Sequence, residues 1–154
     1  MAITGADESS LSRAEDLTSM MAMLCSYDSL FGPHAPQTMR LTKDVGIACW
    51  RCGETGYARA LLTRAIRDLG QYLGRSNEAR MEAAVALLEL LVEQREYENA
   101  MALQNELIDC VVERFGAAHP ETLAIRNRFV ALLWEQPVTS LRGAAWGRAC
   151  ERNL

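Results

Sequence analysis

The chain has 154 residues, which is enough for one ordinary domain. Hydrophobic residues make up 49% and charged residues 23% of it, close to globular averages, which excludes a wholly disordered chain. The formal net charge is -4, so the chain lacks the basic surplus that a general nucleic-acid-binding surface needs.

The sequence carries no signal for a membrane or for export. No stretch approaches the roughly 18 consecutive apolar residues of a membrane helix, and residues 1–10 lack the basic and apolar regions of a secretory signal. The cysteines are Cys25, Cys49, Cys52, Cys110 and Cys150. Because their number is odd and most lie among apolar residues, we expect no disulfide framework and a cytoplasmic protein without membrane contact.

The N-terminal part is predicted to hold a disordered segment followed by one helix. Residues 1–10 are short, polar and near a chain end, which favours disorder. Residues 11–30 form the predicted helix, because Leu17, Met21 and Leu24 lie on one face with the small or apolar residues before them. Its methionine-rich stretch at residues 20–23 is interpreted either as core or as an adaptable contact surface.

An internal repeat follows, and its units begin at residues 31, 73 and 115. The octapeptide FGPHAPQT at residues 31–38 returns as FGAAHPET at residues 115–122, and LGRSNEAR at residues 73–80 stands halfway. Residues 31–70 and 115–154 are identical at 9 of 40 positions without a gap, where chance gives about two or three. A fixed period of this length is typical of solenoid proteins.

Each unit is predicted to contain two helices. The units cover about 31–72, 73–114 and 115–154, and their predicted helices cover 37–52, 55–71, 78–94, 97–114, 120–136 and 139–152. Pro36 and Pro120 suit the first turn of a helix, and Asn77 stands in the matching place of the second unit, where its side chain can cap the helix. Gly53 and Gly56 separate the two helices of the first unit.

The repeat resembles the tetratricopeptide repeat. In the first unit the pattern reads Val45, Gly46, Cys49, Gly53, Ala58, Leu62 and Ala65. The linker at residues 115–122 reads Phe-Gly-x-x-His-Pro-x-Thr. The period and linker look like the kinesin light chain-type variant, and the resemblance covers about residues 31–154. It implies an all-α, right-handed solenoid of about three helix-turn-helix repeats over residues 11–154, preceded by one capping helix. It also implies a protein-binding scaffold and not an enzyme.

In such a solenoid the first helices line a concave groove, and their side chains that are not used for packing face it. The expected groove residues are Arg40, Lys43, Ile47, Trp50, Glu82, Val85, Glu89, Val92, Asn127, Arg128 and Trp134. Trp50 and Trp134 occupy equivalent positions, with Val92 between them. The two tryptophans are interpreted either as anchors for a bound peptide or as fillers between stacked helices.

The resemblance bears on the kind of peptide. Some members of the wider family clamp a C-terminal carboxylate with Lys and Asn at set positions. Lys43 and Arg128 match two of these positions, whereas Ile47, Ala86 and Ala124 do not match the others. We therefore expect an internal peptide segment as the ligand.

Two alternative functions remain open. Cys49 and Cys52 form a C-x-x-C motif, which allows a thiol redox or metal-responsive protein, although the motif lacks both a βαβ unit and a second cysteine pair. The third unit ends at Leu154 with no polar helix after it, which allows a homo-oligomerisation module and a homodimer. No catalytic motif is found, so we expect no catalytic residue, no metal and no cofactor.

Overall fold

The computed structural model describes residues 6–135, which form six α-helices and contain no strand. The helices are α1 (Ala6–Phe31), α2 (Pro36–Arg51), α3 (Thr55–Leu73), α4 (Glu78–Glu93), α5 (Tyr97–Phe115) and α6 (Pro120–Glu135). The predicted all-α class is confirmed for this part of the chain, and none of its helices is long and apolar enough to cross a lipid bilayer. The predicted helix at residues 139–152 and the C-terminal end lie outside the described residues.

The first helix is longer than the sequence suggested. α1 begins at Ala6, so residues 6–10 of the segment assigned to a disordered N-terminus are helical. This stretch contains neither glycine nor proline, and Gly5 precedes it. Without a helix-breaking residue, the helix continues beyond the apolar pattern that predicted it.

The helices recur with the period of the sequence. α2, α4 and α6 have 16 residues each and begin at positions 36, 78 and 120. α3 and α5 have 19 residues each, and they begin at positions 55 and 97. Within each of these two sets, successive helices begin at the interval of the sequence repeat. The period is therefore a property of the backbone between residues 36 and 135.

Residues with a left-handed backbone conformation, at fixed positions, set this period. Gly32, Gly74 and Gly116 follow α1, α3 and α5 with φ of 86°, 100° and 94°. Gly53 and Arg95 follow α2 and α4 with φ of 85° and 61°. Since a residue with positive φ ends a helix, these positions fix the lengths of the helices.

The turns after α2 and α4 are Schellman motifs. The Gly53 amide donates to the Trp50 carbonyl at 3.0 Å, and the Glu54 amide donates to the Cys49 carbonyl at 2.9 Å. The equivalent bonds after α4 are 3.0 and 2.9 Å long. This pairing satisfies carbonyls that the helix end leaves without a partner.

The predicted helix starts are confirmed. Pro36 and Pro120 are the first residues of α2 and α6. The Asn77 side chain accepts hydrogen bonds from the amides of Ala79 and Arg80 at 3.0 and 3.4 Å, and so caps α4. The Nδ1 atom of His119 accepts from the Glu121 amide at 3.2 Å before α6.

Each helix packs against the next one, and α4 also contacts α2 and α6. Small residues allow the close crossings: a Cβ added at Gly46 would lie 3.0 Å from Cγ of the buried Leu62. Between the units, Arg59 on α3 forms an ion pair with Glu96 before α5, with 2.9 Å between Nη2 and Oε2. The hydrogen bonds from Arg59 and Asn99 lower the pKa of Glu96 below its ordinary value of 4.5.

The left-handed turn after α4 generates a stability prediction. Arg95→Gly is expected to raise the free energy of unfolding by about 1 kcal/mol, because glycine adopts positive φ without a Cβ clash. Urea unfolding followed by far-UV circular dichroism measures it. Arg95→Ala is the matched control: it also removes the side chain but keeps Cβ, and it should give no such gain. Equal gains in both variants would contradict this origin.

Candidate interaction groove

Two adjacent grooves run along the first helices. The α1–α4 groove has a volume of about 740 Å³ and is lined by α1, α2 and α4. The α2–α6 groove has a volume of about 650 Å³ and is lined by α2, α4, α6 and the end of α5. Ile47, Arg51 and Glu82 line both. The two grooves therefore meet at α2 and α4.

The structure brings seven of the eleven expected groove residues to these grooves. The α2–α6 groove is lined by Ile47, Trp50, Glu82, Val85, Glu89 and Arg128. The α1–α4 groove adds Lys43. Arg40, Asn127 and Trp134 are exposed but line neither groove, and Val92 is buried.

The placement of Val92 in the groove was wrong. Its side chain is 0% exposed and belongs to the main hydrophobic cluster of the chain. Because valine has a short side chain, Val92 stays in the core at this position of α4. The longer side chain of Trp50, at the equivalent position of α2, extends from the core to the α2–α6 groove. Equivalence in the repeat therefore does not guarantee equal exposure.

The two tryptophans differ in the same way. Trp50 is half-buried, packs against the core, and donates from Nε1 to Oε2 of Glu93 at 2.9 Å. Trp134 is 75% exposed, on the last turn of α6. Trp50 is thus both a packing residue and a groove residue, whereas Trp134 stands apart from both grooves.

Oppositely charged side chains are paired between successive first helices. Lys43 on α2 forms an ion pair with Glu82 on α4, and Glu89 on α4 forms one with Arg128 on α6. The two pairs occupy different positions of the repeat, since the cation is on the earlier helix in the first pair and on the later helix in the second. These opposite charges are therefore neutralised across the groove.

The Lys43 ammonium lies in the best enclosed of these pairs, with its side chain 13% exposed. Burial by itself lowers the pKa of Lys43, but its hydrogen bonds to Glu82 and Asp44 outweigh burial, and the pKa is raised above 10.5. Lys43 therefore stays charged and bound to these carboxylates at any pH near neutrality.

Sequence reasoning missed the contribution of α1. The α1–α4 groove is also lined by four side chains of α1: Arg13, Asp16, Leu17 and Met20. They reach this groove because α1 packs against α2. Met20 also packs against the core, so this side chain is shared between the core and the groove wall. The three- and four-residue spacing of these side chains could have indicated a second functional face of α1.

The C-x-x-C motif has one buried and one exposed thiol. Cys49 is 0% exposed, and burial, followed by the nearby Cys52 and Glu54, raises the pKa of its thiol. Cys52 is exposed on the rim of the α1–α4 groove. A nucleophilic cysteine needs a lowered pKa and access to solvent, so Cys49 is poorly suited to thiol exchange.

Between residues 6 and 135 no group of three or more His, Cys, Asp or Glu side chains is placed to hold a metal ion. The grooves are lined by apolar side chains, by the two ion pairs and by further charged residues such as Arg51 and Glu121, which suits contact with another polypeptide. Comparison with known proteins adds no assignment: no family model matches the chain, and no curated protein matches its sequence significantly.

The unequal burial of the tryptophans predicts unequal effects on stability. Trp50→Ala is expected to lower the free energy of unfolding by about 2–4 kcal/mol, because it removes a packed ring and a hydrogen bond. Trp134→Ala should change it by less than about 0.5 kcal/mol. Urea unfolding of the two variants measures both. Trp50→Phe is the control, expected to lose about 1 kcal/mol because it keeps a packed ring and loses only the hydrogen bond. Equal losses at Trp50 and Trp134 would contradict the described packing.

Proposed function

We propose that the protein is a non-catalytic interaction scaffold, built as a tetratricopeptide-type right-handed solenoid, that binds a peptide or protein segment in its concave groove. Support for the solenoid comes from the constant spacing of the helices from α2 to α6 and from the contacts between successive first helices. α3 packs between α2 and α4, and α5 packs between α4 and α6, as stacked hairpins require.

The observation that carries the binding role is the pair of joined grooves. Their combined path crosses four helices, and apolar side chains from each of these helices line it. These apolar residues are Leu17, Met20, Ile47, Met81, Val85 and Ile125. A trough of this kind suits an extended or helical peptide that inserts apolar side chains, with micromolar affinity of about -8 kcal/mol.

The ion pairs support an internal segment as the ligand. Lys43 and Arg128 are the two cations that a carboxylate clamp would use, and both are bound to carboxylates of the chain itself. A C-terminal carboxylate would have to displace Glu82 or Glu89, and would exchange one ion pair for another with little net gain.

Blocking the groove tests this proposal. Ala124 on α6 is exposed and lines the α2–α6 groove, so Ala124→Arg places a long side chain in it. Peptides selected from a phage-displayed random library on the wild type are expected to bind Ala124→Arg at least about tenfold more weakly. Titration by fluorescence anisotropy measures the affinities.

Ala102→Arg is the matched control, since Ala102 is equally exposed but lies on α5, away from both grooves. Peptide affinity for this variant should equal that for the wild type. Selected peptides that bind both variants equally, or a selection that enriches no peptide, would count against the groove as the binding site.

One observation favours homo-oligomerisation as a second candidate function. Leu123, Val130 and Trp134 on α6 are 46%, 42% and 75% exposed. Among the residues at equivalent positions of the other first helices, Met39, Leu88 and Val92 are at most 1% exposed and Gly46 is buried, whereas Met81 and Trp50 are half-buried. In the part of the chain that the structure describes, α6 thus presents an apolar face where α2 and α4 have a covering helix. The predicted helix at residues 139–152, which lies outside the described residues, and a second copy of the chain are both candidates to cover it.

The second candidate predicts a concentration-dependent dimer. Val130→Glu, which places a charge on this apolar face, is expected to shift the molecular mass measured by multi-angle light scattering from dimer to monomer. Ala102→Glu adds the same charge to an exposed position of α5 and should leave the dimer intact. A wild type that stays monomeric at the highest concentration would refute this candidate and leave the groove proposal unaffected.

A further inference from the structure

A third crevice lies between α3, α4 and α5, and it shares no residue with the two grooves. Its volume is about 460 Å³. Apolar side chains of Ile66, Leu87 and Leu103 form part of its wall, and Arg67, Arg75 and Arg80 lie along the rest with Gly70 and Glu106. We call it the arginine crevice.

Arg80 departs from the repeat at a position that the other units fill with threonine. Thr38 and Thr122 are both 0% exposed, and their hydroxyls donate to the backbone carbonyls of Tyr27 and Gly116 at 3.5 and 3.0 Å. Arg80 is only 4% exposed. Burying a guanidinium costs far more than burying a hydroxyl, so Arg80 needs compensating contacts that a threonine does not need.

The chain holds Arg80 in one position. Its Nη1 donates to the Arg75 carbonyl at 2.8 Å, and its Nη2 forms an ion pair with Glu106. Gly70 leaves the space for it, since a Cβ there would lie 2.8 Å from Nε of Arg80. Nη1 also donates to Sγ of Cys110 at 3.7 Å. The donors that these contacts leave are Nε–H and one N–H of Nη2, and the contacts hold them in a set direction, as planar recognition of an oxyanion requires.

The crevice carries a local positive charge in a protein of net charge -4. Three arginines are met by two carboxylates: Glu106, whose side chain is 43% exposed, pairs with Arg80, and Asp68 pairs with Arg67. Arg67 also bonds Asp68 through Nε at 2.8 Å, which leaves its terminal nitrogens for another acceptor. The electrostatics therefore favour an anion, and the apolar wall favours a hydrocarbon group attached to it.

We propose that the arginine crevice binds an organic phosphate monoester, with the phosphate at Arg75 and Arg80 and an apolar group against Leu87 and Leu103. Arginine suits the phosphate because its parallel N–H groups bind two oxygens at once. This site is separate from the proposed peptide groove, so either can fail without the other.

Titration of the full chain with phenyl phosphate, followed by ¹⁵N NMR, tests the proposal. We expect saturable shifts of the Gly70 amide and the Arg80 Nε signal. Inorganic phosphate, which lacks the apolar group, should bind at least about tenfold more weakly, and benzyl alcohol, which lacks the charge, should not shift the Arg80 signal. A short phosphotyrosine peptide distinguishes the source: tighter binding than phenyl phosphate points to a modified protein, and equal or weaker binding points to a free metabolite.

Two variants separate the site from general attraction to the protein. Arg80→Thr restores the residue of the other units, so we expect it to fold, as circular dichroism will show, but to lose phenyl phosphate binding at least tenfold. Arg75→Gln, at an exposed position, should weaken binding by a similar factor. Arg126→Gln removes an exposed arginine of α6 and should change nothing. Absence of saturation by about 10 mM phenyl phosphate, or equal binding by folded Arg80→Thr, would overturn the proposal.

Discussion

Left-handed turns are the constraint on which the rest of this structure depends. Five residues with positive φ end five helices, and their positions at 32, 53, 74, 95 and 116 are evenly spaced along the chain. Each helix ends where the backbone must reverse. First helices begin later after the preceding turn residue than second helices do, so all first helices from α2 to α6 have one length and all second helices have another, longer one. Side chains at the same offset from a turn therefore meet the same neighbouring helices. The contacts of α4 with α2 and with α6 follow from this register.

Against this constant backbone, the side chains at equivalent positions have diverged into different roles. Trp50 reaches the α2–α6 groove, Val92 stays in the core, and Trp134 is exposed. Thr38 bonds a backbone carbonyl, whereas Arg80 fills the same place with a buried charge. The backbone tolerates such exchanges because the turns that end its helices are closed by main-chain hydrogen bonds, which do not depend on the side chain.

The helices could be predicted because their signals are local: Pro36 at a first turn, Asn77 at a cap and Gly53 at a left-handed end are each read from a few residues. The groove could be predicted only in part. Glu82, the partner of Lys43, lies far along the chain, and their contact depends on how α4 is displaced along α2, which no local pattern contains. Burial at position 92 depends on side-chain length, which a helical projection ignores.

The ion pairs decide how the proposed groove would gain affinity. Two of its cations already have carboxylate partners, since Lys43 pairs with Glu82 and Arg128 pairs with Glu89. A charged ligand group must compete with these carboxylates, so its Coulomb gain is largely offset by the contact it breaks. Apolar surface of the groove has no such competitor, because a bound apolar side chain replaces only water. Affinity in this groove would therefore come from apolar side chains of the ligand that contact Ile47 and Val85. The paired charges would determine which ligand segments are rejected.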